Sequence, residues 1–249
     1  MSLISIVLPA YNEDKNILNL VNELRKYLPS SPIVIVDDSP NNKTKDILKF
    51  LKETDLQIHY IKRDEKLGRY SAVIRGMKYL VDNKVPFDFI VEMDTDFSHP
   101  PNEIVDLTSL AIKENSDICI ASRDLPKSKI IGWPLIRKLM HQTARILCRT
   151  FIYKGLNDFF NAYRVYSKRV VLITVKDKKR KFNKFWGFGE TLLNTLSIKG
   201  KIIEKPTIFT NREFGKSSVN IGVIIKTIYE IIHIGLVSKR KILKKNNFK

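Results

Sequence analysis

Phe89-Ile90-Val91-Glu92-Met93-Asp94-Thr95-Asp96-Phe97-Ser98-His99-Pro100-Pro101 runs from a short apolar segment into a polar turn closed by two prolines. The stretch from Phe89 to Met93 predicts a strand, which leaves Asp94 and Asp96 at its carboxyl end. Two carboxylates one residue apart at such a place can both reach a hard divalent cation, which in turn bridges the two phosphates of a nucleoside diphosphate. Taken alone, Asp-x-Asp also describes a solvated turn, because Asp is common at strand ends. The surrounding sequence has to decide between the two.

Outward from this segment, β-branched runs alternate with helical periodicity. Ile4–Leu8, Ile33–Val36, Ile58–Ile61 and Ile118–Ala121 join Phe89–Met93 as strands. Strands separated by helices of about ten to fifteen residues imply βαβ units, right-handed crossovers and a mainly parallel sheet covered by helices on both faces. The first 123 residues or so therefore read as α/β and Rossmann-like. In such sheets ligands bind beyond the carboxyl ends of the strands. The residues there are Pro9-Ala10-Tyr11-Asn12-Glu13, Asp37-Asp38-Ser39-Pro40, Asp94–Pro101 and Ser122-Arg123, four clusters expected to converge on one edge. No G-x-G-x-x-G turn and no G-x-x-x-x-G-K-[ST] loop occurs, so the phosphate cradles of dinucleotide oxidoreductases and P-loop NTPases are absent.

Composition divides the chain in two. Of its 249 residues 43% are hydrophobic, enough for a sizeable core and incompatible with a disordered chain. Residues 1–98 carry 14 Lys+Arg against 15 Asp+Glu and the remainder 30 against 11, so the halves are −1 and +19. The basic half suits a polyanion, either nucleic acid or an anionic membrane surface. Nucleic acid has no supporting motif here. Cys119 and Cys148 lack partners at metal-ligand spacing and are expected to be buried, reduced and structural. The opening residues lack the basic start and long apolar run of a signal peptide, so cytoplasmic residence is the default expectation.

With these segments in place, Leu8-Pro9-Ala10-Tyr11-Asn12-Glu13, Val36-Asp37-Asp38-Ser39-Pro40, Lys66-Leu67-Gly68-Arg69 and Met93-Asp94-Thr95-Asp96 resemble, in order and spacing, the signature of the family 2 GT-A glycosyltransferases. Within that family the likeness is to dolichol-phosphate mannose synthases and related polyprenyl-phosphate sugar synthases, from residue 3 to about residue 218. The resemblance implies a GT-A domain over 1–218. Pro9, Tyr11, Glu13, Val36 and Asp38 would line the nucleoside pocket. Asp94, Thr95 and Asp96 would meet the donor diphosphate. Asp94 and Asp96 would hold Mg²⁺ or Mn²⁺, with Ser98 standing where some relatives carry an amide ligand. Arg123, Arg137 and Arg212 would act on the donor and acceptor phosphates, with Lys216 and Ser218 in the closing loop Arg212–Ser218. Asp158-Phe159-Phe160-Asn161-Ala162-Tyr163-Arg164 resembles the family's Asp-x-x-Ser-Gly-Phe-Arg but carries Asn161-Ala162 in place of Ser-Gly.

Residues 133–151 predict an amphipathic helix in which Arg137, His141, Arg145 and Arg149 recur every four positions beside an apolar ridge of Ile136, Leu139, Met140, Thr143 and Leu147. Periodicity alone reads it as a core-facing helix with a solvated basic face, whereas the resemblance assigns Arg137 to an acceptor phosphate. Glu190 either binds sugar hydroxyls or stabilises a helix N-terminus. The run Lys176–Lys184 is either a solvated loop or an extension of the basic surface. From Ile221 to Val237 an apolar segment is striped by Lys226, Glu230 and His233 and followed by Lys239-Arg240-Lys241. Charges over so short a segment make a poor membrane span. Residues 219–249 therefore predict an amphipathic interfacial helix with a polybasic tail, set against anionic lipid or a membrane-embedded partner subunit.

The resulting expectation is an inverting transferase, peripheral on the cytoplasmic face of a membrane, moving a hexose from a nucleotide sugar to dolichyl or polyprenyl phosphate. Mannose from GDP-mannose leads, with UDP-glucose as the near neighbour. A saccharide-hydroxyl acceptor, which would need Asp158 or Glu190 as a base, and a non-catalytic nucleotide-sugar-binding subunit are the alternatives.

Overall fold

Runs such as Ile33-Val34-Ile35-Val36 do not alternate with polar residues, which is the mark of a strand covered on both faces. The computed structural model, which describes residues 2–40, 42–176, 187–211, 228–229 and 231–232, bears this out. In chain order it contains β1 (Ile4–Ala10), α1 (Ile17–Tyr27), β2 (Ile33–Asp37), α2 (Asn42–Thr54), β3 (Ile58–Lys62), α3 (Arg69–Asp82) and β4 (Phe89–Glu92). A 3₁₀ turn at Pro101–Glu103 leads into α4 (Ile104–Lys113), β5 (Ile118–Ser122), β6 (Lys129–Ile131) and α5 (Leu135–Phe151). β7 (Arg164–Ser167), α6 (Lys168–Lys176), α7 (Gly187–Ser197), β8 (Ile202–Pro206) and β9 (Ile208–Thr210) complete the described elements.

The main sheet has the order β3-β2-β1-β4-β7-β5-β8. All of its pairings are parallel except those of β7, which runs antiparallel to both neighbours. All five expected strands are present, and the sheet is mainly parallel with helices on both faces. The sequence reading did not name β6 to β9. β7 is a four-residue strand that carries a fully buried arginine, Arg164, opposite Glu92 and Ile120, so hydrophobic patterning does not announce it.

Alternation along each strand feeds two cores. Ile6, Leu8, Ile33 and Ile35 face α1, α2 and α4 through Leu20, Leu24, Leu48, Leu51 and Leu107. Val7, Val34, Val36 and Ile90 face α3 and α6 through Val73, Met77, Leu80 and Val171. Each such side chain, fully buried, contributes about 1.5–3 kcal/mol. Gly76 lets α3 lie this close, since a Cβ there would sit 2.5 Å from Val7 Cγ1. Both cysteines are buried, as expected, and burial pushes the Cys119 thiol up to about 12.

Ile231 is completely buried in the Val7 core, although it lies beyond the expected domain boundary at 218. That part of the C-terminal segment packs on the body of the domain. No helix among the described residues is long and apolar enough to cross a membrane.

Candidate active site

The parallel strands deliver their carboxyl ends to one edge, and hydrogen bonds tie those ends together. Asp38 N–H donates to the Ala10 carbonyl at 3.0 Å, and Asn12 N–H donates to Ser39 Oγ at 2.7 Å. Thr95 Oγ1 donates to the Pro9 carbonyl at 3.3 Å, and the Asn161 amide reaches the Ala121 carbonyl at the end of β5. The four expected clusters thus share one edge. Asn12 and Phe97 both adopt φ of 59°, a left-handed conformation that costs a non-glycine residue energy and concentrates where a loop is held for function.

Asp94 and Asp96 leave β4 on this edge. Asp96 is buried and its Oδ1 accepts the Ser98 N–H at 3.1 Å. Asp94 keeps a side chain 27% exposed and pairs with Arg69, whose guanidinium also pairs with the buried Glu92. The other Glu92 oxygen accepts from Tyr166 Oη at 2.7 Å. His99 Nδ1 accepts the Asp94 backbone N–H at 2.9 Å, so its Nε2 carries the hydrogen and donates to Asn161 Oδ1 at 2.8 Å. Burial drives this imidazole toward its neutral form against the pull of Asp94 and Asp96. Two hard oxygen donors on one turn suit a divalent cation of the Mg²⁺ or Mn²⁺ type. Ser98 orients Asp96 through its backbone, its own carbonyl is taken by Thr210 N–H at 3.3 Å, and its side chain is buried. Thr95 likewise turns its hydroxyl to β1.

The nucleoside side departs from expectation in detail. Asp38 has both oxygens held by Arg63, Nε and Nη2 each at 2.6 Å, and Arg63 is braced by Ser71 Oγ and the Gly68 carbonyl. Tyr11 is exposed, with Lys66 Nζ 3.4 Å above its ring centroid. Glu13 accepts from Asn16 Nδ2 at 2.9 Å at the entry to α1. Val36 has its side chain fully buried beside Gly76, so any contact it makes with a nucleoside would be through its backbone.

Arg123 follows β5 as expected, and its charge is matched within the fold. Nε and Nη2 grip Asp158 at 2.7 and 2.9 Å, and the Cζ lies 5.3 Å from the ring centroids of Trp133 and Phe209. Asp158 Oδ1 also accepts Phe160 and Asn161 N–H groups, and Oδ2 accepts Arg123 N–H. Burial opposes its ionisation, yet the guanidinium holds the carboxyl well below the usual carboxylate range. Asp124, His141 and Asp158 bring one ligand atom each within 4.8 Å of one another, the spacing of a metal triad. Five donors already fill the Asp158 oxygens and His141 Nε2 is 2.8 Å from Asp124 Oδ2, so these three side chains are already engaged by hydrogen bonds within the fold.

Helix α5 departs from the reading that periodicity alone gives, a solvated basic face. The basic ridge turns inward: Arg137 lies over Trp133 at 4.1 Å and donates to Asn211 Oδ1 at 3.1 Å, and His141 meets Asp124. Arg145 and Arg149 both reach Asn157 Oδ1, and Arg149 also reaches the Leu156 carbonyl. The apolar ridge is divided: Leu147 packs on the core, whereas Ile136 (65%) and Leu139 (57%), with the neighbouring Leu135 (73%) and Ile146 (61%), are exposed. The parallel pair of β6 and β9 carries Trp133, Phe209 and Asn211 to this side of the site. A cavity of about 260 Å³ lined by Asn16, Asp96, Phe97, Thr210 and Asn211 lies beside Asp96.

Glu190 is buried in the first turn of α7. Arg212, Lys216 and Ser218, the Lys-rich run past Lys176, and residues 219–249 apart from Ile228, Tyr229, Ile231 and Ile232 lie outside the described residues. Arg69, Glu92, His99 and Asn161 were not assigned roles from sequence. The signal for one pair was present, since a glutamate inside the apolar run of β4 requires a buried cation.

Residues 5–172 match the Glycosyl transferase family 2 profile. The undecaprenyl-phosphate mannosyltransferase of Micrococcus luteus is 28% identical over 94% of this chain and 94% of its own length. The dolichol-phosphate mannosyltransferase of Pyrococcus furiosus is 32% identical over 92% of this chain and 61% of its own. Among solved structures, glucosyl-3-phosphoglycerate synthase from Mycobacterium tuberculosis, crystallised with Mn²⁺, uridine diphosphate and phosphoglyceric acid, superposes with a TM-score of 0.65. It is 14% identical over 95% of this chain and 78% of that one, a likeness of fold.

Proposed function

The chain belongs to glycosyl transferase family 2, and from that premise we propose that it transfers mannose from a nucleotide sugar, GDP-mannose in the leading case, to a polyprenyl phosphate at a membrane surface. The observation that carries this reading is the position of α5. Its inner ridge brings Arg137 to the Trp133 and Asn211 side of the site, while its outer ridge exposes Leu135, Ile136, Leu139 and Ile146. An apolar helix face beside a cationic site suits an acceptor whose phosphate must reach the protein while its hydrocarbon stays in lipid.

Asp94 and Asp96 would hold a divalent cation, which supplies neutralising charge to the leaving diphosphate. Arg137 orients the acceptor phosphate. Arg123, fixed by Asp158, adds its field without moving at the moment of reaction. Pro9, Tyr11, Glu13 and Asp38 frame the nucleoside end. Arg212, Lys216 and Ser218 would close over the donor. A phosphate acceptor is already anionic near neutral pH, so positioning two anions together is the main demand and no base is needed. Asp158, one of the two carboxylates that a hydroxyl acceptor would require as a base, has both oxygens committed, which favours the phosphate acceptor.

The exposed apolar side chains of α5, with the Lys- and Arg-rich sequence at 239–245, suit a peripheral enzyme at an anionic membrane surface, and the cytoplasmic leaflet is the face we propose. The test is incubation of the purified chain with labelled GDP-mannose, UDP-glucose and related donors, a short polyprenyl phosphate, and Mg²⁺ or Mn²⁺, followed by lipid extraction. Mannolipid formation that disappears in Asp96→Asn supports the reading, and absence of labelled lipid with every donor overturns it.

A further inference from the structure

Arg69 is the first residue of α3, and its backbone is set by Gly68, whose φ of 91° an L side chain rarely adopts. From there the guanidinium spans two carboxylates of very different setting: Glu92, whose side chain is 1% exposed, and Asp94, whose side chain is 27% exposed. Burial opposes a charged Arg69, while Asp94 and Glu92 together hold it firmly protonated. The Glu92 end is the permanent anchor, because its second oxygen is occupied by Tyr166 Oη and nothing solvent-borne reaches it. The Asp94 end faces the site.

We propose that Arg69 is a resident counter-ion that a divalent cation must displace from Asp94, so that metal binds weakly alone and tightly with a nucleoside diphosphate. The inference rests on the reading of Asp94 and Asp96 as metal ligands. A cation arriving by itself faces a guanidinium already paired with one of its two carboxylates, and like charges at this separation repel. A nucleoside diphosphate brings the missing negative charge. Its oxygens complete the cation's shell and accept from Arg69, which pivots on Glu92 without leaving it. Metal and nucleotide then raise each other's affinity by the same factor, as linkage requires. The arrangement keeps the donor site from filling with metal in the absence of substrate.

The test is titration of Mn²⁺, read by the loss of the free-ion electron paramagnetic resonance signal, with and without GDP or UDP. For wild type, Mn²⁺ is expected to bind about tenfold more tightly with nucleotide than without. Arg69→Gln should bind Mn²⁺ alone about tenfold more tightly than wild type and lose most of the nucleotide effect. Because that variant strands the buried Glu92, the charge-balanced pair Arg69→Gln/Glu92→Gln is the decisive one, and it should behave the same way. Tightening in the single variant only would mark a general charge effect and overturn the proposal, as would nucleotide-free affinity in the folded double variant equal to or below wild type. Asp96→Asn tests the underlying reading separately. If it retains nucleotide-dependent Mn²⁺ binding, the metal assignment fails whatever Arg69 does, and if it loses that binding, the Arg69 variants alone decide.

Discussion

His99 Nε2 stands 2.8 Å from Asn161 Oδ1 while the Nδ1 of the same ring accepts the Asp94 backbone N–H, so one neutral imidazole ties the end of β4 to the loop before β7. The ring stacks on Tyr163 at 5.2 Å and meets Phe209 edge-on at 5.7 Å, which fixes its plane. Asn161 then passes the restraint to β5 through the Ala121 carbonyl. The turn bearing Asp94 and Asp96 is thus positioned from three directions.

Asn161→Leu should cost about 1–3 kcal/mol of stability, because the buried Nε2–H and the Ala121 carbonyl both lose their partner. It should also raise the metal concentration needed for half-maximal transfer, since the His99 ring that orients the Asp94 backbone loses its hydrogen-bonded anchor. Denaturant unfolding and a Mn²⁺ dependence of activity check the two parts. Asn161→Ser, which supplies the residue the resemblance leads one to expect, should recover part of the stability through its hydroxyl.

Asp158→Asn should destabilise the fold by about 3–5 kcal/mol by leaving the Arg123 charge buried without its counter-ion. In the wild type the folded Asp158 holds its proton more weakly than the unfolded chain does. Its contribution is therefore complete above the ordinary Asp value of about 4 and is lost as pH falls below that toward the folded value. Melting temperatures measured between about pH 2.5 and pH 6 should fall more steeply in wild type than in Asp158→Asn at the acid end. Equal slopes would remove Asp158 from the account of acid sensitivity.

Sequence made the strand-end chemistry legible because βαβ periodicity fixes which residues reach one edge, and Asp94, Asp96, Asp38 and Arg123 all arrive there. It could not say what each charge would find on arrival. Asp38 and Arg123 are matched by Arg63 and Asp158, partners 25 and 35 residues away that only the tertiary fold selects. The inward turn of the basic ridge of α5, against the solvated basic face that periodicity alone predicts, has the same cause. The period of the helix was plain, but a basic ridge turns inward when Asp124, Asn157, Asn211 and the Leu156 carbonyl wait beneath it, and no local pattern encodes those acceptors.

Leu139→Ser/Ile146→Ser should weaken association with vesicles containing anionic lipid and polyprenyl phosphate about tenfold, since both side chains lie on the outer ridge of α5. Melting temperature should stay within the narrow range of surface substitutions, because neither residue supports the core. Transfer to a short, water-soluble polyprenyl phosphate should be spared relative to transfer in vesicles. Sedimentation with vesicles and parallel assays on the two acceptors measure this, and unchanged sedimentation would show that α5 does not lie on the membrane.

Gly76→Ala sets two effects of known size against each other. Alanine in a helix interior is favoured over glycine by about 1 kcal/mol. The new Cβ, however, would sit 2.5 Å from Val7 Cγ1 and 3.3 Å from Cγ2, and β1 is held by β2 and β4 on either side, so it cannot withdraw. Overpacking of a rigid core costs about 1–3 kcal/mol, so the clash should win and leave a net loss of about 1 kcal/mol by denaturant unfolding. Removing the obstacle should reverse the sign. In the Val7→Ala background the same Gly76→Ala change is expected to stabilise, and a double-mutant cycle showing no coupling between the two positions would mean that α3 shifts away from β1 instead of pressing on it.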